Sequence, residues 1–227
     1  MAHTDAAEGA VAATAPQRDA VATRRRILDA AEGEFAEKGL GGTRIAAIAE
    51  RAGCNKALIY HYFAGKDELF AAVLERTYHR IRSAEQALDL EHLPPETAMR
   101  RLVEFSFDYV QRNPSFIKLL NEENLHGAVH LRDTGDARRL TTPLVAVIRR
   151  ILDRGERQGV FRAGVDPVQL YITIASVAYF FTANRATLSE IFDLPRTPDV
   201  ARARRGHIVE VVLGYLRPGA GDRETLS

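Results

Sequence analysis

Residues 43–63 read TRIAAIAERAGCNKALIYHYF. Ile45, Ile48, Ala49 and Ala52 fall at offsets 0, 3, 4 and 7, a buried stripe on a short helix. Thr43 is placed to cap that helix and Gly53 to end it. Asn55 can cap a second helix over KALIYHYF. Two short helices joined by about three residues including a glycine form a helix-turn-helix arrangement. On the second, Lys56, Ala57, Tyr60 and His61 share one face, while Ile59 and Phe63 lie four apart on another. The apolar pair suits packing against neighbouring helices. The polar face offers a cation, hydroxyl and imidazole donors, and a small residue for close approach, which suits a DNA groove. The spacing is equally compatible with a small exposed helix whose rings are half buried.

Outward from this stretch the same period of 3.6 persists, and no strand-like alternation appears. An all-α chain is predicted. A first helix spans about 23–38 with Ile27, Leu28, Ala31 and Phe35 on one side, halted by Gly39, Gly41 and Gly42. After Gly65 a long fourth helix covers about 66–90, with Asp67 and Glu68 in the turn where the helix dipole favours acids. Lys66, at its start, is positioned to meet a phosphate backbone. Further helices are expected at about 95–112, 114–132, 136–158, 167–188 and 199–216. The predicted organisation is a disordered tail (1–17), an N-terminal three-helix helix-turn-helix domain (18–66), a C-terminal helical body (67–217) and a flexible tail (218–227).

Composition narrows the classes of function. Net charge is +1 over 227 residues, yet residues 18–66 hold nine Lys/Arg against six Asp/Glu. The excess is confined to the helix-turn-helix segment, as for a polyanion-binding module on a neutral body. One cysteine, Cys54, rules out an intrachain disulfide and points to a reducing compartment. The N-terminus lacks a secretory pattern, and the longest uncharged apolar run, 170–183, is too short to span a bilayer. A cytoplasmic protein without membrane association is expected. No nucleophile elbow, phosphate loop or zinc-protease motif occurs, and GLGG (39–42) lies between helices rather than after a strand. These absences argue against an enzyme.

The segment 43–69, TRIAAIAERAGCNKALIYHYFAGKDEL, resembles the DNA-binding segment of TetR/AcrR-type transcriptional regulators. Ile48-Ala49, Ala52-Gly53, Ile59-Tyr60, Tyr62-Phe63, Lys66 and Leu69 carry the likeness, which extends over about 23–70. The resemblance implies a homodimer that binds operator DNA and is released by a small-molecule effector. It places Thr43 and Arg44 where the second helix meets phosphates. It places Asn55, Lys56, Ala57, Tyr60 and His61 at contact positions of the recognition helix, and Tyr62 and Lys66 at phosphates. Arg44 departs from the commoner second threonine, and Cys54 replaces a usually aliphatic residue, where it fits as a small hydrophobe.

In the body, the resemblance implies an effector pocket among the middle helices and dimerisation through the last two long helices. The 168–188 segment is apolar nearly all round, and Ile208, Val211, Val212 and Tyr215 recur at helical spacing. Phe105, Tyr109, Phe116, Leu120 and Tyr171 supply candidate pocket walls; Asn121, Asn124, His126 and Asn184 supply polar groups. On one continuous helix Glu122, His126 and His130 would stand at i, i+4 and i+8, a spacing open to a zinc ion, a pocket rim or a dimer contact. No cofactor is expected. The rival reading is a sensor whose N-terminal helices contact protein.

Overall fold

A computed structural model describes residues 15–133 and 137–219. Eleven helices and one short 3₁₀ turn (Leu90–His92) account for the elements in them, with no strand among the described residues. The head comprises α1 (Ala15–Gly42), α2 (Ile45–Ala52) and α3 (Lys56–Tyr62), and α4 (Lys66–Gln86) leads out of it. The body adds α5 (Pro95–Arg112), α6 (Pro114–Leu125), α7 (Val129–Asp133), α8 (Ala137–Arg157), α9 (Pro167–Ala183), α10 (Arg185–Ile191) and α11 (Pro198–Leu216).

Two apolar cores form. Ile27, Ala31 and Phe35 of α1, Ile48 of α2, and Ile59 and Phe63 around α3 close the head core against Leu69, Phe70, Val73 and Leu74 of α4. The body core gathers Met99, Leu102, Phe107, Ile148, Ile174, Phe181 and Val212 from α5, α8, α9 and α11. Ile81, farther along α4, belongs to the body core. In return, α6 sends Leu119 into the head core. Head and body are thus joined by α4 and α6 rather than by a loose linker.

Polar contacts tighten the junction. Arg76 of α4 reaches Asp29 (2.7 Å), Glu32 (2.8 Å) and the Leu28 carbonyl (2.9 Å) on α1. Arg80 donates to both Glu32 oxygens (2.7 and 2.6 Å), and the Ser115 hydroxyl adds a third donor at 3.0 Å. Burial pushes the Glu32 carboxyl up, but the bonds from Arg80, Ser115 and Arg76 outweigh it and leave its pKa lowered. At the far end of α1, Gly39 turns the chain at φ 70°, and the Glu122 carboxylate of α6 accepts the next N–H, that of Leu40, at 2.7 Å. A Cβ at position 39 would lie 3.0 Å from that carboxylate and be strained by the positive φ.

Several boundaries differ from those read in the sequence. Helix α1 begins at Ala15, so the expected tail loses its last three residues to a helix; residues 1–14 and 220–227 lie outside those described. The expected 114–132 helix breaks into α6 and α7, because Gly127 (φ 68°) and Ala128 (φ 59°) are left-handed. The expected 167–188 helix divides at Asn184, whose amide bonds back to the Phe180 carbonyl at 2.9 Å and caps α9. Helix α4 stops at Gln86, before Asp89 adopts φ 47°. Leu90 therefore enters a 3₁₀ turn rather than a continuing α-helix.

Candidate DNA-facing helix and body cavity

Helix α2 ends at Gly53, which is left-handed (φ 64°, ψ 41°) and donates its N–H to the Ala49 and Glu50 carbonyls. The positive φ accounts for glycine there, since a Cβ would meet nothing within 4 Å. The Asn55 side chain then accepts the Leu58 N–H at 2.8 Å, so the expected cap of α3 is formed. The helix is only seven residues long and turns Ile59 and Phe63 inward, with the Arg24 guanidinium 5.3 Å over the Phe63 ring. Lys56, Ala57, Tyr60 and His61 are all exposed, and Tyr60 retains 55% of its surface. Tyr62 and Cys54 are half buried against the head core. The outward face and its anchoring pair therefore coincide with those the spacing predicted.

Two neighbours, Thr43 and Lys66, sit differently from expectation. Thr43 does not cap α2; the cap position is Arg44, which makes no side-chain cap bond. The Thr43 hydroxyl is buried, donating to the Gly39 carbonyl at 2.7 Å and the Glu34 carbonyl at 3.1 Å, and so it leaves the outward set. Arg44 stays exposed. The Lys66 ammonium donates to the Leu40 carbonyl at 2.6 Å and the Thr43 carbonyl at 3.4 Å. It satisfies the end of α1 from inside the protein rather than reaching outward. Asn55 is exposed, with its carbonyl oxygen on the expected cap. Arg24, unassigned from the sequence, stands beside α3; the run Thr23-Arg24-Arg25-Arg26 was its only signal.

The body holds a cavity of about 310 Å³ between α4, α5, α6 and α9. Phe116, Leu120, Asn124 and Tyr171 line it as expected. The other candidates do not. Phe105 and Tyr109 pack ring on ring at 5.6 Å, with Tyr109 edge-on to Phe116 at 6.0 Å, behind the wall. Asn121 accepts the Tyr179 hydroxyl, Asn184 caps α9, and His126 is exposed with Nδ1 donating to the Glu122 carbonyl at 2.8 Å. Across the helix break the His126 and His130 rings stay edge-on at 6.0 Å, but the Glu122 carboxylate turns away from them. Glu122 faces Leu40, while His130 donates to the fully buried Glu123 at 2.6 Å. Among the described residues no group of three or more His, Cys, Asp or Glu is arranged to hold a metal ion.

The sequence reading missed the charged wall of this cavity. Arg82 donates to Glu85 at 2.5 Å and to the Tyr171 hydroxyl at 3.0 Å, with side-chain exposures of 8% for Arg82 and 5% for Glu85. Burial pushes the Glu85 carboxyl up to about 7, against the opposing pull of Arg82. Burial likewise raises the Tyr78 hydroxyl to about 12, with Tyr171 adding to it. The available signal was Tyr78, Ile81, Arg82 and Glu85 at offsets 0, 3, 4 and 7 of α4, two charges inside an apolar stripe.

A seven-residue helix held by its apolar side after a glycine turn, on a three-helix head carried by a helical body, defines a helix-turn-helix DNA-binding regulator. Residues 27–73 match the family model described as bacterial regulatory proteins of the tetR family, and 95–212 match the tetracyclin repressor-like C-terminal domain. The chain belongs to the TetR family. It is 39% identical over 181 residues to the HTH-type transcriptional repressor NicS of Pseudomonas putida, covering 80% of this chain and 85% of that one. It is 31% identical over 162 residues to the HTH-type transcriptional repressor SCO4008 of Streptomyces coelicolor, covering 71% and 79%. A tetR-family regulatory protein from Rhodococcus RHA1 shares the fold at TM-score 0.67 and 21% identity, over 86% of this chain and 97% of that one. Regulators of this family bind DNA operators and typically act as dimers. Among the described residues no helix is long and apolar enough to cross a membrane.

Replacing Lys66 by Met removes the donor for two inward-facing carbonyls and should cost about 1–3 kcal/mol of stability. Urea denaturation measures this. The salt dependence of DNA binding should stay unchanged. A fully stable variant whose salt slope drops by about 0.9 would return Lys66 to a phosphate.

Proposed function

We propose that this protein is a dimeric repressor that occupies an operator through α3 and leaves it when a small molecule fills the α4–α5–α6–α9 cavity. The observation that carries the reading is the split of α3 into a buried pair, Ile59 and Phe63, and an exposed row, Lys56, Ala57, Tyr60 and His61. In this reading Lys56, Tyr60 and His61 meet base edges, and Ala57 admits close approach to the groove floor. Arg44, and Tyr62 through its hydroxyl, meet the phosphates. The protein works in the cytoplasm, where its operator is, and carries no catalytic role.

Helix α4 supplies the route from ligand to DNA, since Tyr78, Arg82 and Glu85 line the cavity while Leu69 to Leu74 lie in the head core. To swing occupancy from 1:99 to 99:1, the ligand must favour one conformation by about 5.5 kcal/mol.

Dimerisation is assigned to α9 and α11. Helix α9 turns Leu170, Ile174, Ala178 and Phe181 inward but leaves Val168, Ile172 and Phe180 exposed. Helix α11 buries Ile208 and Val212 and leaves Val211 and Tyr215 exposed. Apolar rows on two adjacent helices suit a second copy related by two-fold symmetry, which also matches two operator half-sites. In sedimentation, the Ile172→Glu, Val211→Glu double variant should run as a monomer where the parent runs as a dimer. An unaltered dimer would place the interface elsewhere.

A gel shift with DNA flanking the protein's own gene tests the operator reading. Lys56→Ala should change preference among operator variants by about 1–3 kcal/mol. Arg44→Ala should weaken binding to all of them alike and lower the salt slope by about 0.9. Absence of any salt-dependent specific complex would favour the protein-contacting sensor instead.

A further inference from the structure

Arg82 is a buried cation with an unusual balance of partners. It stands in the wall shared by the 310 Å³ cavity and a second one of about 470 Å³ on the side of α8. One terminal nitrogen holds Glu85 and the other the Tyr171 hydroxyl, and its Nε lies buried without a hydrogen-bond partner. A tyrosine hydroxyl that accepts from arginine keeps its own proton to donate. No acceptor for that proton is found among the described residues. The cavity wall, apolar apart from Tyr78, Ser106, Asn124, Ser176 and Tyr179, therefore carries the Arg82 guanidinium, a Tyr171 hydroxyl with a proton to donate, and one carboxylate, Glu85, that neutralises the guanidinium.

We propose that the effector is a small apolar or aromatic carboxylate, whose anionic group takes the place of Glu85 as the partner of Arg82 and is held by the Tyr171 hydroxyl. This rests on the reading of the cavity as the effector site and adds the chemical class. Phe116, Leu120 and Ile117 enclose the apolar part of the ligand. A second anion beside one guanidinium is tolerated only if the first is neutralised, because like charges in a cavity cannot both be compensated. Glu85 takes up one proton from solvent as the carboxylate arrives, and burial already favours its neutral form. The charged and titratable groups facing it are Arg82 and Tyr78 on α4 and Tyr171 and Tyr179 on α9, and Tyr109 of α5 lies near enough to feel its charge. Beyond the end of α4 and from α8 come Asp89, Glu91 and Arg150. Ser106 of α5 and Asn124 of α6 do not titrate.

The test is calorimetric titration of the full chain, without DNA, with three matched pairs: benzoate and benzamide, 2-naphthoate and 2-naphthamide, hexanoate and hexanamide. At least one carboxylate should bind about tenfold or more tightly than its amide. Its affinity should fall about tenfold per pH unit above Glu85's pKa near 7. Glu85→Gln should bind that carboxylate about tenfold more tightly than the parent at pH 8 and lose the pH dependence. Arg82→Met should abolish the preference for the anion; should it not fold, Glu85→Gln and Tyr171→Phe decide the matter. Three panels of equal affinities, or weaker binding by Glu85→Gln, would overturn the proposal. Because no DNA is present, a missing operator complex and a missing carboxylate preference are separate failures.

Discussion

One helix serving two hydrophobic cores is the constraint from which the rest follows. The first half of α4 contributes Leu69, Phe70, Val73 and Leu74 to the head, and Ile81 belongs to the body. Apolar side chains this deeply buried are close-packed, so a helix locked into both cores cannot shift in one without repacking the other. The ion pairs of Arg76 and Arg80 with Asp29 and Glu32 then fix which side of α4 faces α1. A partly buried network with several donors on one carboxylate resists rearrangement better than an isolated exposed pair, which is worth little.

A second connection runs through α6. Its Phe116 and Leu120 line the cavity, its Leu119 sits in the head core, and its Glu122 holds the Leu40 N–H beside the turn at Gly39. The same turn receives the ammonium of Lys66 from the start of α4. The end of α1, and with it the entry to the helix-turn-helix pair, is thus gripped by two of the helices that line the cavity, α4 and α6. In the proposed reading, a ligand wedged between α4 and α6 would act on two handles of the head at once.

What was legible in the sequence divides along a physical line. The stripe of Ile48, Ala49 and Ala52, the Gly53 turn and the Asn55 cap are local features, determined by residues a few positions apart, and they stand as read. Thr43 and Lys66 sit differently from the reading because their partners are backbone carbonyls, which carry no residue-type signature: Gly39 and Glu34 behind Thr43, and for Lys66 the Leu40 carbonyl, distant in sequence. The helix break at Gly127 and Ala128 overrode a continuous helical pattern, and the Glu122 carboxylate bonds the Leu40 N–H instead of facing His126 and His130. In the cavity, aromatic residues were identified by type but not by depth. The decisive pair, Arg82 and Glu85, was not among the candidates, because an arginine and a glutamate three apart on a helix carry no sign of burial in their own types.

The central claim is that occupancy of the cavity and the geometry of α3 are one equilibrium. Pulsed electron-spin resonance between spin labels on Glu50 of α2 in the two subunits, an exposed position outside the DNA-facing set, with Cys54 replaced by serine, reads the separation of the two heads. On operator DNA the recognition helices should lie about 34–36 Å apart, one helical turn of the duplex. A bound effector should move the distribution away from the one read on operator DNA. A distribution that stays the same with the cavity filled and empty would contradict the account.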